Sequence, residues 1–515
     1  MKSNKKRVFH IIYGRTFIII FLLAIQIYIL ISAFNWLSKG YAYIYTIFNI
    51  ITTILVIYIM NKKGNPYFKL AWMIPILVFP IFGALFYMFV EFQIGGKLIN
   101  NRLSEVIDET QKFLSQDENV INELKREDMQ VANLARYMIS IGKYPIYNNT
   151  VVKYFPLGED KFKDMIIELE KAKKFIFMEY FIIEKGFMWN SILEILERKV
   201  KEGVEVRVMY DGMCSLSLLP YNYPKKLIDK GIKCKMFSPV KPALSTSQNN
   251  RDHRKILVID GKVAFNGGIN IGDEYINRYE RFGHWKDVAV KLSGNAVKSF
   301  TLMFLQMWDI DEKSHDDFYK YIYVDNESEK NKADGYIMPY GDSPLDSENA
   351  GESVYLDILN TAKKYVHIMT PYLIIDNEMM TALTYAAKRG IDIKIILPSK
   401  PDKLSAFMLA KTYYSELLQA GVRIYEYTPG FVHAKLFSSD DEKVVVGTIN
   451  LDFRSLYLHF ECATFIYKNK VIKSIEEDFI KTLNKCKKIT IKEYKDINVI
   501  FKICGRVLKL IAPLM

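Results

Sequence analysis

Two stretches of this chain, NNRDHRKILVIDGKVAFNGGINIGDEY (249–275) and FVHAKLFSSDDEKVVVGTINLDFRSLYLHFE (431–461), carry one set of polar residues twice in the same order. His253 matches His433, Lys255 matches Lys435, Asp260 matches Asp440, and Asn270 matches Asn450. Each pair is 180 residues apart (433 − 253, and likewise for the others). Four polar identities in one register mean two copies of one unit, and they read as two halves of a single site.

The flanking sequence repeats as well. The helix-patterned stretch 160–174 leads into the strand-like 175–183, and 351–364 leads likewise into 365–375. GVEVRV at 203–208 matches GIDIKI at 390–395, and GIK at 231–233 matches GVR at 421–423. Helices alternating with short apolar strands predict an α/β fold of mixed sheets covered by helices. A period of roughly 185 residues is far too long for a solenoid, so the repeat indicates duplicated domains.

The first 90 residues read differently. Thr16–Phe34, Tyr41–Met60 and Leu70–Val90 are apolar runs, each close to the ~20 residues that cross a bilayer as a helix. They predict a multi-pass anchor in the cell membrane. Lysines 5, 6, 62, 63 and 69 put the N-terminus and the 61–69 loop on the cytoplasmic side by the positive-inside rule. The first two runs would then form a hairpin. Pro75, Pro80 and Gly83 leave the third run open to either a kinked span or a re-entrant segment. The expected division is a membrane anchor (1–96), a connector helix (97–146), a first half (147–310), an acidic linker (311–349), a second half (350–490) and a basic amphipathic tail (491–515). The tail could lie on a membrane surface or pack on the catalytic domain.

A net charge of +12 favours an anionic partner, either nucleic acid or an anionic membrane. Five widely spaced cysteines form neither a disulfide framework nor a zinc ligand set.

His253 and Lys255 lie two apart on strand-forming sequence, so their side chains share one face, and His433 and Lys435 repeat this. Each half then predicts a hairpin returning Asn270 or Asn450 toward its His/Lys pair. Paired histidines, lysines and amides suit phosphoryl chemistry. Lys255, Lys435, Asn270 and Asn450 would stabilise charge on phosphate oxygens. One neutral histidine can attack phosphorus while the other, protonated, donates to the leaving alcohol. Each needs a tautomer-fixing carboxylate, and Asp287 and Glu461 lie suitably downstream. Asp260 and Asp440 complete the candidate catalytic set, although their turn positions favour bonding to backbone. The remaining histidines (His10, His284, His315, His367, His459) have no counterparts and read as structural or surface residues. No acidic cluster suggests a catalytic metal, and no cofactor is expected.

The doubled HxKxxxxD with its GGxN or GTxN resembles the phospholipase D superfamily, over roughly Tyr147–Lys488. The segments NPYFKLAWMIPILVFPIFGALFYMFV, MEYFII, WKDVAVKLSG, TPYLI and GTINLDFRSLYLHFE, with the tail LKLIAPLM, are similar to bacterial cardiolipin synthases within it. The resemblance implies two phospholipase D-like domains and a two-step phosphatidyl transfer. One phosphatidylglycerol would pass its phosphatidyl group to a histidine, releasing glycerol, and a second would take it to form cardiolipin. By the family pattern His253 would be the nucleophile and His433 the acid/base. One apolar run more than the family's usual two-span anchor is a departure. The implied partners are phosphatidylglycerol, cardiolipin and the bacterial cytoplasmic membrane, with no nucleic acid and with a homo-oligomer left open. Rival readings are a hydrolase using water as acceptor, a nuclease, and a non-catalytic scaffold. The apolar runs oppose the nuclease, and two intact motifs oppose the scaffold.

Overall fold

The computed structural model describes residues 42–91, 95–240, 249–312, 315–322, 333–346 and 348–514, with residues 28 and 32. The first apolar run, its hairpin with the second, and His10 fall outside these.

Two sheets carry the duplication. The first is ordered β1-β9-β7-β6-β2-β3-β4, from β1 (Thr150–Phe155), β2 (Phe175–Tyr180), β3 (Glu205–Asp211), β4 (Lys233–Phe237), β6 (Lys255–Ile259), β7 (Val263–Gly267) and β9 (Ala289–Gly294). The second is ordered β10-β19-β17-β16-β11-β13-β14-β20. It is built from β10 (Tyr336–Asp342), β11 (Tyr365–Met369), β13 (Asp392–Pro398), β14 (Arg423–Tyr427), β16 (Leu436–Ser439), β17 (Lys443–Gly447), β19 (His459–Tyr467) and β20 (Cys486–Lys488). Strand for strand the first seven positions correspond.

Strand periodicity of two sorts the side chains. Ile256 and Val258 of β6 enter a core shared with Leu436 of β16 and Val444 and Val446 of β17. Leu257 and Ile259 turn to the first half's helices, and Phe437 and Val445 to the second's. The halves therefore share a central core. They are also stitched together by backbone: β5 (Arg251–Asp252) pairs with the start of β19, and β8 (His284–Lys286) pairs with β15 (Gly430–Val432).

Two boundaries differ from expectation. The second half begins with β10 at Tyr336, inside the stretch assigned to the linker. Pro339 and Gly341 make β10 read as a loop, but it is an edge strand paired to β19, where proline's missing N–H is tolerated. The connector is three α-helices, Gly95–Thr110, Glu118–Glu127 and Met129–Gly142, rather than one. Asp117 and Asp128 cap the second and third through their carboxylates.

At the N-terminus, α1 (Ala42–Asn61) is followed by α2 (Pro66–Val78) and α3 (Pro80–Glu91). The third apolar run is thus broken at Phe79 into a helical hairpin. Trp72 packs on Phe86 and Tyr87 across it. Gly83 is required at the crossing, since a Cβ there would lie 2.4 Å from the Pro75 carbonyl oxygen. Among the described residues no helix is long and apolar enough to cross a membrane.

Of the two placements its sequence allowed, the tail packs on the catalytic domain. The helix Val499–Lys509 packs on Leu404–Ala420, with Gly505 tight against the Met408 carbonyl and Phe501 against Phe407. Val499, Ile500, Ile503 and Val507 remain exposed.

Candidate active site

His253 follows β5 and precedes β6, and His433 sits likewise between β15 and β16. Each is fixed by the opposite half. The His253 N–H donates to the Phe460 carbonyl at 2.9 Å, and the His433 N–H to the Lys286 carbonyl at 2.7 Å. The carboxylates are crossed in the same way. Glu461 takes Nδ1 of His253 at 2.8 and 3.0 Å, and Asp287 takes Nδ1 of His433 at 2.6 Å. A carboxylate on Nδ1 holds that proton and leaves Nε2 free for chemistry.

Small residues make room for this crossing. A Cβ on Gly268 would lie 2.2 Å from an Asp287 oxygen. In the other half Thr448 stands at that position, and its hydroxyl donates to the carboxylate of Glu461.

Lys255 and Lys435 are almost fully buried, and each donates to the carbonyl of the histidine two residues before it. Two ammonium hydrogens on each lysine remain available to a ligand. Burial pushes Lys255 down to about 8 and Lys435 to about 7. Burial also drives His253 well below the ordinary histidine range, helped by Lys255, His459, Lys435 and His433. His433 falls to about 4 through burial and Lys435. That mutual influence places both histidines and both lysines in one field. An anion entering this field would restore the lysine charges and could draw a proton onto one imidazole.

The asparagines are tied to the scaffold. Asn270 accepts from the Ile182 N–H and donates to the Tyr275 hydroxyl, while Asn450 donates to the Ser455 hydroxyl. Each amide keeps a second hydrogen without a partner among the described residues.

Asp260 and Asp440 bond to backbone, as their turn positions favoured, rather than to the histidines they were grouped with. Asp260 accepts backbone N–H groups of Lys173, Lys174 and Phe175, and Asp440 those of Lys363, Lys364 and Tyr365. Both lie at the hairpin turn with positive φ, 55° and 60°, at the far end of β6 and β16 from the histidines. They lock the start of β2 or β11 to the turn.

His459 is the residue that sequence reasoning missed. It is buried, and its ring lies 5.5 Å from that of His253 and 6.5 Å from Phe181. The signal was its place two residues before Glu461, the position Trp285 holds before Asp287. His367 is structural, stacked on Phe479 and bonded to Glu476. His253, His459 and Glu461 bring one ligand atom each within 4.8 Å of one another, a spacing that suits a cation. Lys255 and Arg251 press on His459 electrostatically, and a field of that sign favours an anion instead.

The family described as "Cardiolipin synthase, PLD-like domain" matches residues 165–308 and 355–483, and "Phospholipase_D-nuclease N-terminal" matches 45–90. A cardiolipin synthase of Alkalihalophilus pseudofirmus is 32% identical over 93% of this chain and 95% of its own. One of Clostridium perfringens is 34% identical over 88% and 95%. An uncharacterized protein of Streptococcus mutans is 52% identical over 89% and 99%. The crystal structure of a Haemophilus influenzae phosphatidylserine synthase shares the fold, with a TM-score of 0.56 at 15% identity over 75% of this chain and 98% of that one. With two doubled motifs and a crossed histidine–carboxylate pair in one buried site, the chain belongs to the cardiolipin synthase family of the phospholipase D superfamily.

Proposed function

We propose that this protein joins two phosphatidylglycerol molecules into cardiolipin and glycerol. The observation that carries the reading is the pair of buried imidazoles, each held at Nδ1 by the other half's carboxylate beside a buried lysine. Nε2 of neutral His253 attacks phosphorus, and the bond from phosphorus to the glycerol oxygen breaks. Protonated His433 delivers its proton to that oxygen, and glycerol leaves. A hydroxyl of the second phosphatidylglycerol then gives its proton to His433 and attacks the same phosphorus, breaking the phosphorus–nitrogen bond. Lys255 and Lys435, with the free amide hydrogens of Asn270 and Asn450, stabilise the equatorial oxygens.

The reading also places the site at a bilayer. The 13 residues of α2 reach about 20 Å at 1.5 Å per residue, short of the ~30 Å hydrocarbon layer. A hairpin of that depth enters a membrane and returns on the same side. Lys62, after α1, pairs with Glu91 at the end of α3, which supports the return. The lysine-rich loop and the catalytic halves then share the cytoplasmic face. The hairpin base is joined to the site. Asn65 donates to Asp376 and Tyr457, and Tyr67 and Phe68 pack on Phe453, in the short helix Phe453–Tyr457 between Asn450 and Glu461.

The test is purified protein in vesicles of phosphatidylglycerol alone. Cardiolipin and glycerol in equal amounts are expected. Phosphatidic acid as the main product would make the protein a hydrolase.

A further inference from the structure

The duplicated frame has unlike walls. Three positions 180 residues apart invert the local chemistry: Phe431 stands where the first half has Arg251, Glu274 where the second half has Arg454, and Tyr275 where it has Ser455. Trp285 packs on His433 at 5.2 Å, whereas the imidazole of His459 packs on His253 at 5.5 Å. One side of the site is aromatic, with its glutamate turned away to Arg281. The other side keeps one aromatic ring, Phe181 at 4.8 Å from His253, and adds cationic and polar groups.

On the cationic side three groups make no hydrogen bond through their side chains among the described residues: His459, Arg454 and Lys403. Both ring nitrogens of His459 lack a hydrogen-bond partner among the described residues, although only 9% of its side chain is exposed, and Nδ1 has only a long ion contact with Glu461 at 3.9 Å. Arg251 is its register neighbour across the β5–β19 pairing. Arg251 is committed to Asp211 and the Ser238 carbonyl. The Arg454 guanidinium makes no ion pair or hydrogen bond with a described residue, and neither does the Lys403 ammonium, which lies 5.8 Å over the Tyr372 ring. Lys403 and Arg454 line one cavity of about 70 Å³ with Tyr372, Asp452 and Phe453. Asp452 faces inward to cap the helix Phe453–Tyr457 through the Ser455 N–H. This corner also meets the hairpin base, because Phe453 packs on Tyr67 and Phe68.

We infer that Arg454 and Lys403, on the His459 side of the site, form a second phosphodiester site, which holds the phosphate of the acceptor lipid while its glycerol hydroxyl reaches the first. This rests on the proposed transfer between two phosphatidylglycerols. That reaction brings two phosphates to one site, and only one lies between His253 and His433. The product joins them through a three-carbon glycerol, so the second anion must sit close by, at a place the frame's symmetry does not supply. Two cations facing a single carboxylate, Asp452, beside an imidazole with no hydrogen-bond partner among the described residues, on the corner bearing the apolar hairpin, meet that need. The acceptor class is an anionic glycerophospholipid with a free headgroup hydroxyl. A neutral alcohol would bypass this site.

The test gives wild-type protein vesicles of phosphatidylglycerol with butanol as competing acceptor, and measures cardiolipin and phosphatidylbutanol together. In R454Q and K403Q, cardiolipin should fall at least ~10-fold, as expected for lost charge-assisted bonds, mainly through a higher KM for the lipid acceptor. Phosphatidylbutanol should stay within about twofold of wild type, which also shows that the variants fold and load the donor. R454K should recover part of the cardiolipin formation. Equal loss of both products, or no loss of either, would overturn the second site. Wild-type protein that makes phosphatidylbutanol but no cardiolipin would instead overturn the underlying transfer reading.

Discussion

His253 and His433 stand in the same frame and face different walls. Each takes a backbone carbonyl and a carboxylate from the other half, and each precedes a buried lysine. Around His253 the ring neighbours are Phe181 and His459, and around His433 they are Trp285, Tyr275 and Phe431. What is duplicated serves chemistry that both half-reactions share, namely holding one phosphorus between two imidazoles. What has diverged serves the inequality of the steps: one lipid loses glycerol and the other gains a phosphatidyl group.

The comparison breaks first at the histidines. H253A or H433A should lower cardiolipin formation by at least ~10²–10⁴-fold, the contribution of a positioned proton donor or acceptor. Membrane association should be unchanged in a flotation assay. Near-normal activity in either variant would remove that histidine from the mechanism.

The crossed carboxylates sharpen it next. D287N should disable His433, and E461Q should disable His253, each by ~10²–10⁴-fold, as loss of the tautomer-fixing group does in other histidine sites. Because the partners are exchanged, D287N should mimic H433A, the histidine of the opposite half. Steady-state product ratios in the four variants check this pairing.

The lysines come third. Burial leaves Lys255 near 8 and Lys435 near 7 in the free enzyme. A bound phosphodiester favours their charged forms, so binding takes up protons above those values. kcat/KM should therefore fall as pH rises through 8. The histidines are held below their ordinary range, so the neutral nucleophile should persist on the acid side of 6.5. A flat profile between pH 7 and 9 would contradict the lysine role. EDTA should leave activity unchanged, and inhibition reversed by added metal would assign a cation to His253, His459 and Glu461.

The smallest catalytic effect belongs to the turn aspartates. D260N and D440N should each lower stability by about 1–3 kcal/mol through weakened charge-assisted bonds while sparing kcat. D260N should be the costlier, since its N–H partners are the more buried. Thermal melts beside turnover at low temperature separate the two effects.

The frame was legible in the sequence because catalysis fixed the same polar residues twice in one register. His253, Lys255, His433, Lys435, Asp287 and Glu461 all reach one site. The crossing of the carboxylates was not legible, since which histidine meets which carboxylate depends on how two sheets dock. Asp260 and Asp440 share the motif's spacing yet serve the backbone, and their turn position, not their spacing, was what separated them from the chemistry. His459 was passed over for the opposite reason: it breaks the repeat, and a search for matched pairs discards residues that differ between the halves. The connector reads as one helix because its helical pattern continues through the caps at Asp117 and Asp128, and β10 lies inside a stretch whose acidic, polar character reads as linker.

The central claim is that the two histidines divide one reaction, His253 taking the phosphatidyl group and His433 moving the proton. Phosphatidyl-p-nitrophenol tests it directly, because its leaving group needs no general acid. H433A should release a burst of one nitrophenolate per active site and then stall as the phosphohistidine, while H253A should release none. A burst from H253A, or none from H433A, would contradict the account.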